Sequence, residues 1–561
     1  MKKNLLKKTK ALILTLALSV GVLAGCTTTG ETTTAAEGTK SSTQPSTTAA
    51  GTTTGTSADT TADTTASDPS PAEGGTFVVA IGREPGGYNP AAAADDAAYI
   101  VNQNIFNKLL KINGNDEIVN DLAESYEFSA DGKTLTFHLH KNVKWHDGTE
   151  FSAEDVKWTF DQIREEKGFA SNSLSDITEV KVVDKDTVAF TLENVNSGIL
   201  GYIAWMGTYI MPKHLYEGTD WLTNPVNMEP VGTGPFKFTE HVSGDSVTIE
   251  KNPDFFGDVP HLDKIIFKIM PDQMTAYQAW LVDEVDENRL GAPATELDNL
   301  RNDEKYNLIP LSWPNKSYIT FNMQEGAFSD PLVREAVLYG IDRHDFHTRI
   351  WKGQGEASEY FIPYQYTWAL NEDAKSPERD VAKAMELLEE AGYTKDEDGF
   401  YLETSVDTYP GWDEFVPVMK AQFEEFGIKL EHNSMDDPTY DAKVLDDQDF
   451  ELTLLGGYVG PDISAVGTRF GTGGAMNYGL YSSEAMDAEL AAGTEATDLE
   501  DRAVHYKKVQ EILKTDLPAV FIWDRGSEMA TKSYVKGHPA SQDAAPKSSE
   551  AEFTYVWLDR D

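Results

Sequence analysis

The chain has 561 residues, 40% hydrophobic and 11% aromatic, enough apolar material for two or three cores, which excludes a disordered or helix-only class. Its 93 acidic residues against 47 basic ones give a formal charge of −46. That excess argues against nucleic acid as a partner and against adhesion to anionic lipid by charge, and it reads as a solubilising surface.

At the N-terminus Lys2, Lys3, Lys7, Lys8 and Lys10 precede an apolar run from Ala11 to Val22, and Leu23-Ala24-Gly25-Cys26 follows. Residues 1–26 resemble a bacterial lipoprotein signal with its lipobox, which implies Cys26 as the diacylglycerol acceptor. Cys26 is the only cysteine in the chain, so no internal disulfide is expected. No later segment has the run of about 20 apolar residues that a bilayer span needs, so the expected protein is tethered to the cell membrane and not embedded in it. Residues 27–75 reduce to Thr, Ser, Ala, Gly and Asp, bury almost nothing, and are expected to form a flexible stalk.

A short strand from Thr76 to Ile81 opens the folded body, followed by the loop Glu84–Pro90 and a helix over about Ala97 to Leu110. In the stretch Glu117–Arg164, Leu135, Phe137 and Leu139 alternate with Thr136, His138 and His140, the period of a half-buried strand, after a turn at Asp131-Gly132. Asp147-Gly148 makes the next turn, and Ser152 precedes a helix with Val156, Phe160 and Ile163 on one face. LAESYEFSADGKTLTFHL and KNVKWHDGTEFSAEDV within this stretch closely resemble the signature of the extracellular solute-binding proteins of the dipeptide and oligopeptide transporter family. The resemblance runs from Thr76 to about Gly537. It implies that the Asn-Pro loop lies near a ligand cleft, which makes Tyr88 and Asn89 candidates for ligand contact against a plain turn role.

His138 and His140 share a strand face at a spacing that could bind metal, but no third ligand is spaced nearby, so they and His146 read as a solvated face and no metal or cofactor is expected. Pro230-Val231-Gly232-Thr233-Gly234-Pro235 lacks phosphate-loop spacing and leads into a strand. It resembles the family's crossing back into the first domain. Pro331 starts a helix capped by Ser329 or Asp330, around which Arg334, Asp342 and Arg343 are expected to make structural ion pairs.

Further on, Tyr401–Val406 reads as a strand, Asp413–Phe426 as a helix and Ile428–Glu431 as the next strand. The loop between, Asp407–Trp412, leaves the carboxyl end of a strand, where open α/β sheets hold ligands, so Tyr409 and Trp412 are candidates. A further strand ends at Leu455 and leads into a Gly-rich loop carrying Tyr458, Asp462, Arg469, Asn477 and Tyr478. In peptide-binding relatives such a loop supplies an aspartate for the ligand's α-ammonium, which makes Asp462 the candidate. This chain departs from the family there: the relatives usually carry Trp and an earlier Asp where it has Tyr458 and Gly460-Pro461-Asp462. Asp462 as a loop cap stays open beside its role as a ligand contact. Trp145, Trp158, Trp205, Trp412 and Tyr458 are available for stacking on a sugar.

The expected fold is α/β, two-lobed and periplasmic-binding-protein-like, of the large type with an extra domain and mixed sheets flanked by helices. Domain I is expected from residues 76–111, 230–315 and 518–561, domain II from 112–229 and domain III from 316–517. The resemblance implies a lipid-anchored substrate-binding component of an ABC importer. It would be a monomer partnered by the permease subunits and a small solute, a di- or oligopeptide or alternatively an oligosaccharide or other nonpeptide. Neither G-x-S-x-G nor H-E-x-x-H is present, so an enzyme is not expected.

Overall fold

The computed structural model describes residues 71–92, 95–165, 168–293, 295–539 and 551–560. Cys26, the signal and all but the end of the stalk lie outside the described residues.

Buried side chains gather into two large cores. One joins Phe77, Val79, Ile265 and Phe267 to Phe137, Phe160 and Phe190, so the segments expected as domains I and II share a continuous interior. The other lies wholly between Tyr318 and Trp523. A seven-stranded mixed sheet forms the base of the first lobe, in the order Tyr306–Ser312, Gly526–Lys532, Glu287–Asn288, Thr76–Ile81, Lys264–Ile269, Ser246–Lys251, Phe236–Val242. Thr76–Ile81 is central because it is apolar enough to be covered on both faces, by Phe77 and Val79 on one side and the cluster of Ala80, Tyr277 and Trp280 on the other. The signature strand Thr134–Leu139 alternates as its sequence requires, with Leu135, Phe137 and Leu139 inward in a four-stranded antiparallel sheet. Residues 551–558 return to this lobe: Asn104 holds the backbone of Ala551 and Phe553 at 2.8 and 2.9 Å, and buried Lys111 meets Glu552 at 2.6 Å.

The second lobe is built on a six-stranded sheet in the order Glu356–Ala357, Ala519–Asp524, Asn315–Phe321, Leu452–Tyr458, Leu402–Thr408, Ile428–Ser434. The strand Ala519–Asp524 was expected in the first domain, after a boundary at 518; it is instead hydrogen-bonded into this sheet, its residues all buried, and the return crossing falls at Arg525. There it lies between Asn315–Phe321 and Glu356–Ala357, an interior position that matches a strand buried along its whole length. The connection between lobes is therefore a pair of adjacent antiparallel strands: Tyr306–Ser312 runs alongside Gly526–Lys532 in one sheet, and Asn315–Phe321 alongside Ala519–Asp524 in the other. Between the two sheets only Trp313-Pro314 and Arg525 cross. Just inside the second lobe, buried Lys316 bonds Asp524 Oδ1 at 2.8 Å, Ser358 Oγ at 2.5 Å and the Tyr360 carbonyl at 2.7 Å, which clamps the two crossing strands to each other.

Candidate functional site

The sheet register brings the crossing and the candidate loops to one end of the second lobe. Leu402–Thr408 runs parallel to Leu452–Tyr458, so Tyr409 and Tyr458 emerge at the same end. Asn315 pairs with Tyr458 and Trp523 with Ser317, which places the crossing segments there too. This end, at the carboxyl termini of the parallel strands, faces the first lobe. Tyr458 is the last residue of its strand and not part of the loop, because the strand continues past Leu455 through Gly456 and Gly457. Gly456 is needed there: a Cβ would meet Ser317 Oγ at 2.8 Å and the Trp412 ring at 3.1 Å.

Across this end the lobes touch. Trp205, the residue capping the first-lobe helix Ile199–Ala204, stacks on Tyr458 with ring centroids 5.6 Å apart and planes inclined by 17°. Phe169 backs Trp205 at 5.8 Å. Beside the stack, Ser197 donates its N–H (2.9 Å) and its hydroxyl (3.0 Å) to the Thr494 carbonyl. Gly198 and Gly201 let this helix press on the loop opposite; a Cβ at Gly201 would lie 2.7 Å from the Pro461 carbonyl oxygen and 2.9 Å from Asp462 Cβ.

Asp462 itself is engaged within its own lobe. Arg502, from the long helix Leu499–Asp516, grips it with two hydrogen bonds of 2.7 and 3.0 Å, and its Oδ1 accepts the Ser464 N–H at 2.9 Å as an N-cap. Burial alone would raise the Asp462 pKa, but the Arg502 charge and these hydrogen bonds hold it below the ordinary carboxylate value. Its oxygens are thus already bound to a cation and a backbone amide, which is the loop-cap geometry that stood open beside ligand contact. Val459, between Tyr458 and the loop turn, is buried with its N–H on the Pro314 carbonyl at 2.8 Å.

Arg469 is buried behind the same strand end and donates to the carbonyls of Tyr458 (2.7 Å) and Val459 (3.2 Å). Among the described residues no carboxylate pairs with it. Asn477 ties its loop through the Gly471 and Tyr481 carbonyls at 2.9 and 2.7 Å, which makes it a structural knot. Tyr409 packs edge-on against Tyr440 at 5.1 Å, and Trp412 against Phe415 at 4.9 Å, each half-buried with part of the ring open at the sheet end.

The first-lobe candidates in the Asn-Pro loop are engaged within their own lobe, one hydrogen bond beyond Ala91, whose carbonyl accepts the Phe169 N–H at 2.9 Å. Tyr88 is fully buried, its hydroxyl 3.1 Å from His241 Nδ1, and Asn89 spans the Trp221 carbonyl and the Ala91 N–H at 2.9 and 3.1 Å. Both belong to turn and core. Trp145 is also in the core. Two concavities, of about 850 and 490 Å³, lie within single lobes, and neither contains Trp205, Tyr409, Trp412 or Tyr458. No group of three or more His, Cys, Asp or Glu suited to a metal occurs among the described residues.

Sequence reasoning missed Arg502, forty positions from its partner in an outwardly polar helix, and Arg525. Arg525 had a legible signal: with Asp524 it follows the apolar run Ala519–Trp523 immediately before Gly526.

Residues 117–477 match the family model of the bacterial extracellular solute-binding proteins, family 5 Middle. The chain is 26% identical over 503 residues to the dipeptide-binding protein of Escherichia coli (strain K12), covering 82% of this chain and 92% of that protein. It is also 26% identical over 481 residues to heme-binding protein A of Haemophilus influenzae, covering 79% and 86%. Among solved structures, HbpA2 from Haemophilus parasuis aligns with a TM-score of 0.78 at 23% identity over 86% of this chain and 100% of that one. DppA from Helicobacter pylori in complex with peptide STSA aligns with a TM-score of 0.64 at 25% identity over 87% and 99%. With the two-lobed architecture and the paired crossing, these matches lead to one conclusion: the chain belongs to family 5 of the bacterial extracellular solute-binding proteins, non-enzymatic substrate-binding components of ABC importers.

Proposed function

We propose that this protein captures a di- or oligopeptide between its lobes and presents it to the permease subunits of an ABC importer, while Cys26 carries a lipid that tethers the chain to the outer face of the cell membrane. The observation that carries the reading is the pairing of a two-strand crossing with an aromatic contact, Trp205 on Tyr458, that only the two lobes together can make. Opening about the crossing would separate the rings and admit solute; closure would bury it, and contacts from both lobes would favour the closed state. No helix among the described residues is long and apolar enough to cross a membrane, which is compatible with a lipid tether.

A second reading, a nonpeptide solute, is favoured by the engagement of Asp462 with Arg502, which removes the acid that would hold a peptide's ammonium. Native mass spectrometry of protein purified without denaturation tests both. A copurified mass that fragments as a peptide supports the first reading, a nonpeptide mass the second. For the anchor, Cys26→Ser is expected to release the protein from membranes and remove the acyl mass; retention of both would refute lipidation at this position.

A further inference from the structure

Buried charged side chains of the second lobe have partners: Lys316 is held by Asp524, Ser358 and the Tyr360 carbonyl, and Asp407 by Lys443 and Asn433. Asn315, beside the crossing, does not follow this rule. It is 3% exposed, its Oδ1 is closed off from solvent, and that oxygen accepts no hydrogen bond from any described residue. A buried amide oxygen without a donor forfeits the hydrogen bond it has in water, which calls for a reason. Such an atom is not diagnostic by itself, since Asn102 Oδ1 is in the same condition on the first-lobe helix Asp96–Ile105.

What distinguishes Asn315 is the face on which it stands. In the antiparallel pairing Asn315 lies opposite Tyr458, and Ser317 opposite Gly456. Residues directly opposite, like residues two apart on one strand, share a face of the sheet. Gly456 identifies that face, because a Cβ there would meet Ser317 Oγ and the Trp412 ring. Asn315 therefore stands with Tyr458 and Trp412, whereas Lys316 and Tyr318 take the opposite face, where both meet Phe521. Tyr458 is also the ring on which Trp205 stacks from the first lobe. A second amide repeats the pattern at the crossing. Gln365 is 6% exposed, donates Nε2 to the Trp313 carbonyl at 3.1 Å, and leaves its buried Oε1 with no donor among the described residues.

Resting on the solute-binding reading above, we infer that Asn315 determines specificity: its Oδ1 accepts a hydrogen bond from a neutral donor of the solute, an amide N–H or a hydroxyl, while an apolar face of the solute lies against Trp412 and Tyr458. Gln365 offers a second neutral acceptor beside the crossing. A solute without such a donor would leave the oxygen unmet in a closed cleft, so the residue selects against it.

Calorimetric titration of the full chain tests this with leucyl-phenylalanine, leucyl-N-methylphenylalanine, maltotriose and any solute that native mass spectrometry finds copurified, for wild type, Asn315→Leu and Asn315→Ala. N-methylation removes the amide donor and needs no change in the protein. The expected result for a peptide solute is that wild type binds the methylated peptide about tenfold more weakly, while both variants lose about tenfold for leucyl-phenylalanine and no longer distinguish the two. For a sugar solute, maltotriose weakens about tenfold in both variants and neither peptide binds. A purely structural amide would show in the empty protein; instead Asn315→Leu is expected to melt no lower than wild type, because an apolar group of similar size replaces an unmet polar one. Affinity in both variants within about threefold of wild type, equal binding of the two peptides by wild type, both variants melting well below wild type, or a copurified solute with neither N–H nor O–H would overturn the inference and leave the binding-protein reading standing. Absence of any copurified solute together with no binding of any probe would overturn both.

Discussion

His146 makes two hydrogen bonds that need different ring nitrogens: Nε2 donates to the Gly234 carbonyl at 3.0 Å and Nδ1 accepts the Gly232 N–H at 3.2 Å. Only the neutral ring can do both, and burial holds its pKa down to about 4. The sequence placed His146 on a solvated face, because a turn beside Asp147-Gly148 gives no sign that the crossing at 230–235 folds over it. With a folded pKa below the unfolded value of about 6.5, the stabilisation is complete above that value and is lost as pH falls toward 4, by at most about 3 kcal/mol. Denaturant unfolding between pH 7 and pH 4.5 should therefore show a steeper loss for wild type than for His146→Gln; parallel curves would refute the role. Arg334 and Arg343 correct the expectation of ion pairs in another way. They donate to backbone carbonyls, Arg334 to those of Phe328 and Asp516 at 2.7 and 2.8 Å and Arg343 to Pro377 at 2.5 Å, since buried chain ends offer acceptors that a sequence does not display. At Asp462 the pair with Arg502 is buried on both sides, so Asp462→Ala leaves an uncompensated guanidinium and should cost about 3–5 kcal/mol in unfolding free energy. The double change Asp462→Leu with Arg502→Met should recover most of that loss, and wild type and the double variant should treat free and N-acetylated peptides alike.

At the scale of elements, what was legible followed periodicity. The strand Thr134–Leu139 and the helix starting at Pro331 lie where apolar spacing and caps put them, with Asp330 as the capping side chain. What was not legible depended on another segment being present. Gly456-Gly457 reads as a loop, yet the strand runs through it; Ser317 and Trp412 occupy the space that a side chain at 456 would need, and Gly457 holds a positive φ of 137°. The strand Ala519–Asp524 carries no mark of which lobe it joins until its neighbour Asn315–Phe321 is placed. The short helix Ile199–Ala204 is likewise unremarkable in sequence, but its glycines set how closely the lobes can meet. Gly201→Val would push a side chain into the Pro461 carbonyl and disfavour the closed arrangement without touching Arg525 or the aromatic loop. A loss of about tenfold in solute affinity, about 1.4 kcal/mol, is expected by titration, with little change in melting temperature. Unchanged affinity would mean that this contact does not form when solute is held.

For the whole molecule, two cores joined by adjacent strands make each lobe rigid by itself and leave few groups to resist rotation between them. The Lys316–Asp524 clamp lies inside the second lobe, so it fixes the strands at their exit and confines bending to Trp313-Pro314 and Arg525. The most direct test of closure about this crossing is small-angle X-ray scattering of the full chain, recorded without solute and again with saturating amounts of the solute identified by native mass spectrometry. The account predicts a smaller radius of gyration with solute, and a smaller contraction for Gly201→Val. A wild-type radius that stays the same at saturation would contradict it.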